Sequence, residues 1–142
     1  MDWKLEVVVV PVSDVERAKE FYTEKLGFSL DVDHQMSEDF RVVQMTPPGS
    51  GCSVTVGKGL SDAAPGSVRG LQLVVPDIEA AHAQLTERGV QASEISHFGE
   101  GGLKPGLDPE RDRRPFGSFI FFSDPDGNTW AVQEGHRSTP PS

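Results

Sequence analysis

The amino-acid sequence predicts an α+β fold in which one βαβββ module is built twice. Three observations predict it. Segments of strand and helix character follow one another in the same order in both halves, a repeat of 63 residues relates the halves, and 142 residues suffice for one domain made of two such modules.

Residues 5–12 are a mostly β-branched run, and are expected to form the first strand. Ser13-Asp14-Val15-Glu16 follows as a capping-box pattern, in which Ser13 or Asp14 satisfies free amides at a helix start. Val15, Ala18, Tyr22 and Leu26 recur at helical spacing, and Phe21 widens their stripe. Gly27 suits the left-handed position that ends a helix, so the helix is expected over about 14–26. Residues 28–34, 40–46 and 52–56 alternate or carry β-formers, and the turn-rich stretches 35–39 and 47–51 separate them.

The second half repeats this order. A strand over 71–75 leads to a helix capped by Asp77, with Ile78, Ala81 and Leu85 on one face and Gly89 at its end. Strands are expected at 90–97, 117–123 and 129–134, with a long Gly/Pro-rich charged loop over 98–116. Asp14 and Asp77 stand 63 residues apart, and at that offset Val15 matches Ile78, Glu16 Glu79, Ala18 Ala81, Thr23 Thr86, Glu24 Glu87 and Lys25 Arg88. The expected organisation is one domain over 1–137, with a first module at about 4–57, a linker at 58–67, a second module at 68–135 and a flexible polar tail at 138–142.

Composition excludes several partners. Thirteen Lys and Arg against 22 Asp and Glu give a net charge of -9, which repels polyphosphate backbones and anionic bilayers, so neither nucleic acid nor membrane is an expected partner. The N-terminal residues lack a basic stretch followed by an apolar one, and the longest aliphatic run, 7–10, is too short to span a bilayer; a cytoplasmic protein is expected. Cys52 is the single cysteine, which leaves no intramolecular disulfide and no thiolate-rich zinc site. Its strand-like surroundings favour a buried structural role over a nucleophilic one.

Asp124-Pro125-Asp126-Gly127-Asn128 holds the residues of a tight connection between the last two strands. Taken with Val12-Ser13-Asp14, Phe21-Tyr22, Leu26-Gly27-Phe28 and the 63-residue repeat, it resembles the glyoxalase/bleomycin-resistance/extradiol-dioxygenase group, the vicinal oxygen chelate superfamily, over about residues 4–134. The resemblance implies two βαβββ modules whose curved mixed sheets form a concave ligand cavity with the helices outside, and a homodimer. Members include metal-dependent lyases, isomerases and dioxygenases as well as metal-free drug-binding proteins, so fold alone does not set function.

Strand alternation gives the side chains expected on the concave side. These are Leu5, Val7, Val9, Gly70, Gln72, Val74, Ser53, Thr55, Phe119, Phe121, Thr129, Ala131 and Gln133, together with Phe40, Val42 and Gln44. Val8, Val10, Leu71, Leu73, Val75, Ile120, Phe122, Trp130 and Val132 should pack under the helices. Metal-using relatives place His, Gln or Glu at positions that the resemblance carries onto Val7, Ser53, Gly70 and Ala131. Three of these have no side-chain donor, so no metal and no other cofactor is expected. The opposite parity offers Glu6, Val54, Leu71 and Trp130, which make no metal site either.

His97, at the end of the sixth strand, is a candidate general base or hydrogen-bond donor, whereas His34, His82 and His136 read as structural or exposed. The 19 residues of 98–116 are long for a connection and suit a lid or a disordered loop; Arg111, Arg113 and Arg114 fit an anion clamp as well as a solvated charge pattern. Gly99 to Gly102 lacks the helix of a phosphate cradle. An apolar, aromatic lining with uncharged polar groups suits a small hydrophobic or aromatic compound, such as a natural product or antibiotic, held without metal. The alternative is a lyase, isomerase or dioxygenase-like enzyme of the same superfamily, with His97 or Tyr22 moving a proton. A third reading is a degenerate domain acting through a protein partner, with its cavity filled by its own side chains.

Overall fold

The structure, a computed structural model, describes residues 1–135; His136 and the expected tail at 138–142 lie outside them. Contacts divide the chain into two units, Met1–Arg69 with Asp124–Asn128, and Gly70–Ser123 with the described residues from Thr129 to Gly135. The stretch expected as a linker therefore belongs to the first unit, where Gly66 donates its N–H to the Pro11 carbonyl at 3.1 Å. Gly66 has φ +79°, and a Cβ there would meet the Asp126 carbonyl at 2.1 Å, so two requirements select glycine at this position.

In the first unit β1 (Val7–Val9), α1 (Val15–Glu20), β2 (Ser29–Ser37), β3 (Phe40–Thr46) and β4 (Ser53–Lys58) form a sheet ordered β1-β4-β3-β2, with β1 parallel to β4 and the other pairs antiparallel. The first strand is shorter than the apolar run that predicts it. Its pairing extends from the Glu6 carbonyl to the Val10 N–H, and Pro11 has no N–H to continue it. Leu5 lies outside the strand and is exposed. Val10, Val43, Met45, Val54 and Val56 are buried with Ala18, Phe21, Tyr22 and Phe28 in the core.

Asp14 is the cap of α1, accepting from the Arg17 N–H at 3.1 Å, while Ser13 turns its hydroxyl to Asp126 at 2.6 Å. The single helix expected over 14–26 is instead a short α-helix followed by a π-helical turn, Phe21–Lys25, in which the Leu26 N–H reaches back to the Phe21 carbonyl at 3.1 Å. The wider turn buries two consecutive aromatics, Phe21 and Tyr22, whose rings meet edge to face at 5.2 Å. Cys52 precedes β4 in a turn with Ser50 and is half-buried rather than buried.

On the helix side of β2, Asp33 accepts from Arg41 at 3.0 and 2.9 Å and from Lys19 at 2.7 Å. Those hydrogen bonds, Arg41's first, hold its carboxyl well below its ordinary pKa of 3.8. A folded pKa below the unfolded one means stability that is present above about pH 4 and lost as the pH falls toward the folded value. Asp33→Asn is expected to cost about 1 kcal/mol at pH 7 and steadily less below pH 3.8. Urea titrations at several pH values check this; a cost independent of pH would refute it.

In the second unit β5 (Leu71–Val75), α2 (Ile78–Glu87), β6 (Ser96–Gly99), β7 (Gly102–Pro105), β8 (Ser118–Ser123) and β9 (Thr129–Glu134) form a sheet ordered β5-β9-β8-β6-β7. Asp77 caps α2, accepting from the Glu79 and Ala80 amides at 3.0 and 3.1 Å. Ile78, Val90, Ile120, Phe122, Trp130 and Val132 are buried under the helix, with the Phe122 and Trp130 rings stacked at 6.1 Å.

Two expectations fail here. The strand expected at 90–97 is β6, shifted to Ser96–Gly99. The upstream segment meets β8 through Ser93, whose N–H reaches the Phe121 carbonyl at 2.8 Å and whose hydroxyl accepts the Phe121 N–H at 2.9 Å. The loop over 98–116 is in part a β-hairpin, because Glu100-Gly101 turns the chain with Gly101 at φ +86° and pairs Phe98 with Leu103. The second module therefore has one strand more than predicted. Among the described residues no helix is long and apolar enough to cross a membrane.

Candidate functional site

One face of each sheet is free of helix. In the first unit the register Val7↔Ser53, Val9↔Thr55 and Thr55↔Gln44 places Val7, Val9, Ser53, Thr55 and Gln44 on the face opposite the core, and alternation along β3 adds Val42 and Phe40. Val7, Val9 and Val32 are 38%, 39% and 42% exposed, large values for strand valines. Ser53 and Thr55 are buried, and the Ser53 hydroxyl meets that of Thr46 at 2.6 Å, which in turn donates to Asp31.

The corresponding face of the second unit is aromatic. Two cross-strand rows cover it: Gln72, Ala131 and Phe121 in one, and Val74, Gln133, Phe119 and Ser96 in the next. Phe119 and Phe121 lie parallel with centroids 6.1 Å apart, and Phe98 meets Phe119 edge to face at 5.4 Å. Three rings thus make a shelf, and Ala131 leaves a low floor between Phe121 and Gln72. Phe98 is 63% exposed. The sequence reading omits Phe98 because it ends the sixth strand at 97, two residues early; the glycines after it are the signal of a hairpin that carries the strand on.

His97 does not join this shelf. It pairs with Ser118, on the side of the sheet opposite Phe98 and Phe119, and its Nδ1 lies 2.9 Å from the Gly106 carbonyl. Arg111 is likewise committed. Its guanidinium clamps Glu134 at 2.6 and 2.7 Å and reaches Glu79 at 3.2 Å, and the Glu134 hydrogen bonds hold its pKa above the ordinary range. Arg113 pairs with Glu110 at the surface. The segment over 107–116 is therefore a strap, tied at Arg111 and at Asp108, whose N–H donates to the Ser118 hydroxyl at 3.0 Å.

The strap ends at Phe116, over the free face. A Cβ on Gly135 would meet the Phe116 ring at 2.6 Å and Val74 at 3.2 Å, so the ring lies on the same side as Gln133 and Val74. The Phe116 carbonyl accepts from Gln133 Nε2 at 2.7 Å, and Gln133 Oε1 accepts from Gln72 Nε2 at 3.1 Å. Sequence alone pointed to neither Phe116 nor this amide chain.

Two cavities lie away from this face. One of about 420 Å³ runs along α1 among Asp14, Arg17, Lys19 and Thr23, and one of about 240 Å³ lies between 9–12 and 57–65. Neither touches the aromatic shelf.

Repetition of a βα unit followed by antiparallel strands, with a parallel first-to-last pairing in both sheets, defines the class of paired βαβββ-type proteins. The chain belongs to the Glyoxalase/Bleomycin resistance protein/Dioxygenase superfamily, whose family model matches residues 4–132. It is similar to TnmS3, an antibiotic binding protein from Streptomyces sp. CB03234, at 34% identity over 95% of this chain and 98% of that one, with a TM-score of 0.73. A glyoxalase/bleomycin resistance protein from the same strain is 35% identical over 92% and 99%, with a TM-score of 0.69. A member of the superfamily from Sphaerobacter thermophilus DSM 20745 is 30% identical over 94% and 98%, with a TM-score of 0.72.

The resemblance assigns the superfamily's metal-ligand positions to four residues of this chain. Of Val7, Ser53, Gly70 and Ala131 only Ser53 has a side-chain donor, a neutral hydroxyl already engaged by Thr46. Among the described residues no three His, Cys, Asp or Glu side chains converge.

Proposed function

We propose that the protein binds a small, flat, largely apolar compound, such as a natural product or antibiotic, on its aromatic shelf, without a metal at the family's ligand positions. The observation that carries this reading is the row of partly exposed rings Phe98, Phe119 and Phe121, bordered by the uncharged amides of Gln72 and Gln133. Face-on and edge contacts with such rings hold planar molecules by burial and quadrupole complementarity. The likeness to an antibiotic binding protein at 34% identity supports the same reading.

The reading includes a homodimer, supported by the apolar side chains that both free faces leave uncovered and tested by light scattering at micromolar concentration, and takes the protein as cytoplasmic. Its binding step is tested by fluorescence titration with phenanthrene, a flat apolar tricycle. Phe121→Ala and Phe119→Ala are each expected to weaken binding about ten-fold with the helical content unchanged. Binding that neither substitution alters would refute the assignment.

A further inference from the structure

We propose that the site selects aromatic ligands carrying a hydrogen-bond donor at their edge, a hydroxyl or N–H, and that Gln72 reads this group through its carboxamide oxygen. The inference rests on the aromatic-shelf reading and deepens it. Its argument is one of donors and acceptors. A backbone carbonyl only accepts, so the atom that Gln133 presents to the Phe116 carbonyl at 2.7 Å is its nitrogen. The other end of the same amide, an oxygen, then faces Gln72, and only the nitrogen of Gln72 can meet it, as it does at 3.1 Å. Both glutamine amides, free to turn over in isolation, are fixed by one main-chain carbonyl.

That carbonyl is itself held. The Phe116 N–H donates to the Arg114 carbonyl at 2.8 Å, and the strap carrying both is clamped by Arg111 on Glu134. The orientation reaches Gln72 as an oxygen that no donor among the described residues occupies, at an exposed position. Gln72 shares its cross-strand row with Ala131 and Phe121. The alanine methyl leaves the path between ring and amide open, so a planar ligand lying on Phe121 brings its edge to the Gln72 oxygen. A donor there completes a hydrogen bond; an ether oxygen leaves the amide oxygen desolvated and unpaired.

The test compares 9-phenanthrol with 9-methoxyphenanthrene by fluorescence titration, with phenanthrene as the reference. The natural protein is expected to bind the phenol about five-fold more tightly than the ether. The preference should collapse toward one in Gln72→Met, persist in Gln72→Glu, which keeps an acceptor, and fall in Gln133→Leu, which leaves Gln72 in place but frees its amide to turn over. A role confined to packing would change both affinities alike and leave their ratio intact. Equal binding of phenol and ether by the natural protein, or a ratio unchanged in Gln72→Met, overturns the proposal while leaving the shelf in place if phenanthrene still depends on Phe121. Failure of all three compounds to bind overturns the shelf reading and this one with it.

Discussion

Asp124→Ala is expected to destabilise the protein by about 3–5 kcal/mol. The carboxylate is 5% exposed and every direction around it holds a donor. Oδ2 accepts from the Tyr22 hydroxyl at 2.7 Å and from Asn128 Nδ2 at 2.8 Å, and Oδ1 from the Asp126 and Asn128 amides at 3.0 and 2.9 Å. Asn128, fully buried, extends the network: its Nδ2 also donates to the Pro11 carbonyl at 2.9 Å and its Oδ1 accepts the Val68 N–H at 3.1 Å. Alanine would strand several buried donors at once, and stranding a donor costs more than losing a bond that water can replace. Tyr22→Phe removes one donor and leaves the carboxylate three others, so about 1 kcal/mol is expected there. Urea denaturation followed by circular dichroism measures both. A cost below about 1 kcal/mol for Asp124→Ala would mean that water enters the network freely and that the turn is only a connection.

This network explains why the Asp-Pro-Asp-Gly-Asn motif is legible in sequence while its role is not. Turn residues announce a connection between β8 and β9, and that connection is present. Its partners, Pro11, Tyr22 and Val68, stand more than fifty residues away, and no local pattern encodes such a meeting. The same division runs through the rest of the molecule. Period-two alternation places Ile120 and Phe122 in the core and Phe119 and Phe121 on the free face, because β8 pairs with β9 in an unbroken register. Caps at Asp14 and Asp77 are likewise local chemistry. By contrast, the π-helical turn follows from burying both Phe21 and Tyr22, the shift of β6 from the Ser93 contact to Phe121, and the shelf's border from a strap that folds back over its own sheet. Each of these depends on a partner that the sequence does not place.

Glu134→Ala is expected to cost about 3 kcal/mol, and the reason lies in three demands met by one carboxylate. Glu134 is 3% exposed at the end of β9. It accepts the Ile78 N–H at 3.0 Å, satisfying a free amide at the start of α2 where a negative charge also meets the positive end of the helix. It also accepts both arms of the Arg111 guanidinium. Such a half-buried pair is poor evidence of stability in itself, since two apolar side chains of similar volume often serve as well. The double variant Arg111→Met with Glu134→Leu is therefore expected to recover a large part of what Glu134→Ala loses, although the Ile78 amide stays unsatisfied. What the apolar pair cannot restore is the fixed direction of the strap, and hence of the Phe116 carbonyl above the free face. Denaturation midpoints and amide exchange at Phe116 and Gln133 separate the two contributions. If the double variant regains midpoint and exchange protection together, the ion pair serves packing alone; if the midpoint recovers while the strap amides exchange faster, its work is to hold the border of the aromatic shelf in one geometry.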